Sequence, residues 1–82
     1  MKARVHIRLK EGVLDPQGKV IAEALGRLGF SGVNEVRQGK LIELDLAETD
    51  PATARTALEA MCDKLLANPI LETYAIELDG GQ

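Results

Sequence analysis

Apolar and polar residues alternate from the start of the chain. Ala3, Val5, Ile7 and Leu9 interleave with Lys2, Arg4, His6, Arg8 and Lys10. A period of two predicts a strand over residues 2–10, with one face buried and the other charged. The period then lengthens. Val20, Ile21, Ala24, Leu25 and Leu28 recur at helical spacing and make one apolar row. Asp15 is the predicted N-cap of that helix, and Pro16 suits its first position. Gly29 closes the helix in a left-handed conformation, and Phe30 folds back onto Leu25. Val33 to Ala47 reads as two strands about Gln38-Gly39, where Gly39 supplies the positive φ of a tight turn. Ile42, Leu44 and Leu46 point inward. Asp50-Pro51 repeats the cap-plus-proline start. Ala54, Ala57, Leu58, Met61 and Leu65 form the inner face of a second helix, which Asn68-Pro69 stops. A last strand spans Glu72 to Leu78, with Tyr74, Ile76 and Leu78 inward. Residues 79–82 form a flexible tail.

The order strand, helix, strand, strand, helix, strand predicts an α+β, ferredoxin-like βαββαβ sandwich. Its four-stranded antiparallel sheet has spatial order 4-1-3-2, with both helices on one face. Eighty-two residues make one domain, 1–82. A chain this short buries only about 60–65% of its unfolded surface. With no Trp, one Phe and one Tyr, its core is thin and aliphatic. A thin core and open sheet edges favour self-association, without saying which edge pairs.

Charge narrows the partners. The formal charge of −3 argues against nucleic acid or an anionic membrane as the main partner. The basic stripe on the first strand carries no interleaved aromatic to stack a base. Glu43, Asp45 and Glu77 on the flanking strands are its expected cross-strand partners. No apolar stretch approaches the roughly 20 residues of a membrane span, and the N-terminus lacks a signal-peptide core. Cys62 is the only cysteine, which fits a reduced cytoplasmic setting and a buried small hydrophobe.

Candidate chemistry is sparse. Gly12 to Gly18 followed by Lys19 lacks the ending and spacing of a phosphate loop. Pro16 removes a donor there, and Asp15 repels a phosphate. His6 is the only histidine and sits among cations. No nucleophile–base pair, acid–base carboxylate pair or metal-ligand spacing is evident. No catalytic, cofactor-binding or metal-ligating residue is therefore assigned.

Three blocks carry a family resemblance. The first is Leu9-Lys10-Glu11-Gly12-Val13-Leu14-Asp15-Pro16-Gln17-Gly18, continuing through Ala24-Leu25 to Leu28-Gly29-Phe30. The second is Val36-Arg37-Gln38-Gly39-Lys40 followed by Ile42-Glu43-Leu44. The third is Leu65-Leu66-Ala67-Asn68-Pro69-Ile70, then Glu72 and Tyr74-Ala75-Ile76-Glu77. In order, spacing and length the chain resembles PurS, the small subunit of bacterial and archaeal phosphoribosylformylglycinamidine synthase. The resemblance implies a noncatalytic subunit in de novo purine biosynthesis. It implies a bridge between a glutaminase and an ATP-dependent synthase subunit that supports ammonia transfer. It also implies homodimers or dimers of dimers, with ATP and Mg used by the assembled complex and no cofactor held by this chain. Two glycine-fixed polar segments are the expected subunit contacts: Gly12, Asp15, Pro16, Gln17 and Gly18, and Arg37, Gly39 and Lys40. They are expected to be dispensable for the core. A competing reading is a regulatory βαββαβ domain that senses an amino acid or nucleotide beside Gly12.

Overall fold

The alternating N-terminal segment becomes the centre of the sheet. In the computed structural model, which describes residues 1–79, β1 (Lys2–Leu9) lies between β2 (Lys40–Asp45) and β3 (Glu72–Leu78). Both neighbours run antiparallel to it. Val5 faces Ile42 on one side and Ile76 on the other. Ala3, Val5 and Ile7 are fully buried, and Ile42, Leu44, Leu46, Tyr74 and Ile76 pack partly around them. The inward set expected from alternation is the inward set observed.

The sheet has three strands among the described residues, not the expected four. The predicted strand before Gln38-Gly39 is an irregular connector, tethered by side-chain hydrogen bonds and not by a ladder. The Arg37 guanidinium donates to the carbonyls of Leu9 (2.8 Å) and Lys10 (3.1 Å), and the Gln38 N–H donates to Asp15 (2.8 Å). The expected hairpin at Gln38-Gly39 does not form either. Positive φ occurs, among the described residues, only at Gly12 and Gly29. Gly39 is needed for another reason: a Cβ there would lie 2.6 Å from the Ile7 carbonyl oxygen.

Helix α1 (Pro16–Arg27) starts and stops as its sequence dictates. Asp15 accepts from the Gly18 N–H at 2.9 Å. At the other end Phe30 N–H bonds Leu25 O (2.9 Å) and Gly29 N–H bonds Gly26 O (3.1 Å), with Gly29 at φ +100°. That pair of bonds is a Schellman cap. The expectation that α1 covers the sheet fails. Helix α1 stands clear of the strands, leaving Val20 60%, Leu28 73% and Phe30 59% exposed. Of the two α-helices, α2 (Pro51–Met61) is the one that packs on the sheet, against β3, through buried Ala54 and Leu58. It too is capped as expected, with Asp50 accepting from the Thr53 N–H (3.1 Å) and hydroxyl (2.6 Å).

One π-helical turn (Cys62–Leu66) follows α2 and is closed by the Ala67 N–H on Cys62 O at 3.0 Å. The wider turn shifts the phase of the inner face. Cys62 and Ala67 become buried, whereas Leu65, expected inside, turns outward at 82% exposure; Ala57 is also exposed. The result is an extended molecule of 48 × 26 × 15 Å. Its radius of gyration is 16.1 Å, against about 12 Å expected for a globule of this length. No helix of the described residues is long and apolar enough to cross a membrane.

Candidate protein interface

The two glycine-containing segments singled out in the sequence meet at the base of α1. Asp15 joins them. One carboxylate oxygen caps the helix at Gly18, and the other receives the Gln38 N–H of the connector. The two N–H donors, Gly18 first and Gln38 second, hold the Asp15 carboxyl below its ordinary value. Gly18 allows the close approach, since a Cβ there would lie 2.1 Å from the Val36 carbonyl oxygen. Arg37 ties the same connector to the end of β1 through Leu9 and Lys10.

This arrangement revises the expectation that neither segment serves the fold. Asp15, Gly18, Arg37 and Gly39 fix the joint between β1, α1 and the connector. Lys40 opens β2 and pairs with Glu72 of β3 at 3.4 Å. Pro16 and Gln17 remain exposed, as does Gly12 at φ +83°. An open cleft runs between Gly12, Asp15, Lys19 and the connector residues Asn34 to Arg37. Its Asp15 and Arg37 side chains are turned to the chain's own backbone.

The charged sheet face is largely paired. Lys2 lies 3.6 Å from Asp45, and His6 bonds Glu77. Arg4 reaches Glu77 at 3.5 Å and makes two bonds to Asp79, at 2.8 and 2.6 Å. Arg4 thus turns toward the β3 side, although Glu43 stands opposite it on β2. Asp79 is anchored, its N–H bonded to Lys2 O at 2.9 Å, so the expected loose tail does not include it; residues 80–82 lie outside the described residues. Arg4 holds the Asp79 carboxyl below its ordinary value, and His6, then Arg4, do the same for Glu77.

The helical pattern does not reveal one exposed apolar surface. Val20 and Ile21 on α1 and Leu28 at its C-cap, an apolar row expected to face the sheet, are exposed, with Leu14 and Phe30 nearby. Pro16, Gln17 and Gln38 border Val20 and Ile21 in one shallow depression. Periodicity could not separate this row from a packed one, because an apolar stripe looks the same whichever surface covers it.

A small α+β module with a braced helix, an exposed apolar row and a neutralised sheet face defines a protein that works through contacts. Residues 2–80 match the family model for PurS, phosphoribosylformylglycinamidine (FGAM) synthase. The chain belongs to the PurS family. It is 47% identical over 75 residues to the phosphoribosylformylglycinamidine synthase subunit PurS of Synechocystis sp., covering 92% of this chain and 75% of that one. The crystal structure of Methanocaldococcus jannaschii PurS superposes with a TM-score of 0.84 at 45% identity, covering 93% of this chain and 92% of that one. A chain of the Thermotoga maritima PurLQS structure superposes with a TM-score of 0.85 at 28% identity, covering 93% of each chain.

Proposed function

We infer that this chain is the small, noncatalytic subunit of phosphoribosylformylglycinamidine synthase, joining the glutaminase and synthase subunits in de novo purine biosynthesis. Its membership of the PurS family carries the reading. The Thermotoga maritima neighbour, a chain of a PurLQS assembly, supports it. The physical need is for register. Ammonia released at one site is lost by diffusion or protonation unless the second site is held close. A connector meets that need by shape. ATP and Mg act in the larger subunits, and this chain supplies surface and self-association as a dimer or dimer of dimers.

The geometry favours the exposed α1 row, with Pro16, Gln17 and Gln38 at its base, as the subunit contact. An unpacked helix costs apolar exposure unless another surface covers it. Size-exclusion chromatography of the three purified components tests this. The glutaminase and synthase subunits should co-elute when the wild-type chain is added. The double variant Val20→Glu, Leu28→Glu should stay folded by circular dichroism and fail to recruit them. Undiminished co-elution with that variant removes α1 from the contact.

A further inference from the structure

We propose, on the reading that α1 carries the subunit contact, that Arg37 is a positioning residue: with Asp15 it braces α1 at a fixed angle to the sheet, and that angle keeps ammonia release in step with its use. Helix α1 is an arm. Two chain segments join it to the sheet, the loop after β1 and the connector before β2. Both arrive at the same end of the sheet, since Lys40 pairs with Ile7 near the close of β1. Away from that end the arm is bare: Val20, Leu28 and Phe30 are each more than half exposed. The loop gives it little rigidity, with Gly12 at φ +83° and one backbone bond, Val13 N–H to Lys10 O at 3.1 Å.

The direction of the arm is therefore set by a few polar contacts at its base. Arg37 Nη2 donates to Leu9 O (2.8 Å) and Lys10 O (3.1 Å). Lys10 is itself tied into the sheet, its N–H on Leu71 O at 2.9 Å, so the guanidinium grips a fixed point. Asp15 closes the other side, with Oδ1 on the Gly18 N–H of the helix and Oδ2 on the Gln38 N–H of the connector. Leverage makes these contacts matter. The 12 residues of α1 span about 18 Å, so a tilt of about 10° at the base moves the far end by about 3 Å. A gap of about 1 Å already forfeits much of a packed contact. Without the brace the α1 surface keeps its chemistry and loses its aim. The larger subunits stay attached while their two sites drift out of register, and ammonia escapes between them.

Two readouts test the brace together. Nitroxide labels at Arg27→Cys on the arm and Glu43→Cys on the sheet, both exposed sites, report the angle by pulsed electron paramagnetic resonance. Cys62 is buried and stays unlabelled, and dilution with unlabelled chain confines the signal to one copy. The distance should be narrow with Arg37 present and broad in Arg37→Ala, with an unchanged far-ultraviolet spectrum. In the three-component assembly Arg37→Ala should still co-elute with both larger subunits. Glutamine hydrolysis should then outrun amidine formation several-fold, where the wild-type chain keeps the two equal. Arg37→Lys, which retains a cationic donor for Leu9 O, should recover most of both. Asp15→Asn keeps the cap acceptor for Gly18 but turns an amide N–H₂ on the Gln38 N–H, and should act like Arg37→Ala. A distance that stays narrow in both variants, or one that broadens with coupling intact, overturns the brace alone. Lost co-elution makes Arg37 a contact and overturns it too. Glutamine-dependent turnover that never needs the wild-type chain overturns the bridging reading, and the brace with it.

Discussion

Gly18 and Gly26 lie on the same helix and differ in what a methyl group would meet. At Gly18 it collides with the Val36 carbonyl oxygen at 2.1 Å; at Gly26 it meets nothing within 4 Å. Gly18→Ala should therefore lower the urea midpoint and free the connector. Gly26→Ala should raise it, through a stability gain of about 0.5–1 kcal/mol, because helix-interior glycine loses more entropy on folding than alanine. The opposite order contradicts the joint described at Asp15. Acid acts on the same joint. The Asp15 carboxyl sits below its ordinary value of 3.8, held by the Gly18 and Gln38 N–H groups. A lowered folded-state value contributes stability that is present above 3.8 and lost as pH falls through the lower folded value. Asp15→Asn, which keeps an N-cap acceptor, should flatten the loss of stability below about pH 4. An unchanged slope in urea titrations across that range means Asp15 carries no such linkage.

The elements were legible where local chemistry decides them. Period two fixed β1 and β3, and both Asp-Pro helix starts and the Gly29 cap fall where their residues placed them. Three features were not legible, each for a long-range reason. The connector before β2 is held by distant parts of the chain instead of a ladder: Asp15 accepts from its Gln38 N–H, and its own Arg37 side chain donates to the carbonyls of Leu9 and Lys10. Leu65 turns outward because a π-turn, invisible to a period of 3.6, shifts the helix phase. Helix α1 stands clear because amphipathicity specifies an apolar face without specifying its cover. The expected contact residues divide by structural role, a division the sequence pattern does not show. Asp15, Gly18, Arg37 and Gly39 build the joint, while Pro16 and Gln17 stay exposed beside Val20 and Ile21. Hydrogen exchange reads this at the scale of the helix. On adding the glutaminase and synthase subunits, α1 amides should gain more protection than those of buried β1. Equal or absent gains place the contact elsewhere.

At the scale of the molecule, extension is the property that matters. With a radius of gyration of 16.1 Å and a long axis of 48 Å, the chain leaves several large apolar residues exposed instead of folding them into one core. Such a shape is poorly suited to stand alone and well suited to hold larger bodies in fixed relation. A bridge is needed only when ammonia must travel between two proteins, and not when ammonia is supplied in solution. The decisive measurement is amidine formation by the glutaminase and synthase subunits, with and without this chain, on glutamine and on ammonium salt. Glutamine-dependent turnover should require the chain, while ammonium-dependent turnover should proceed without it. Full glutamine-dependent turnover in its absence contradicts the bridging role.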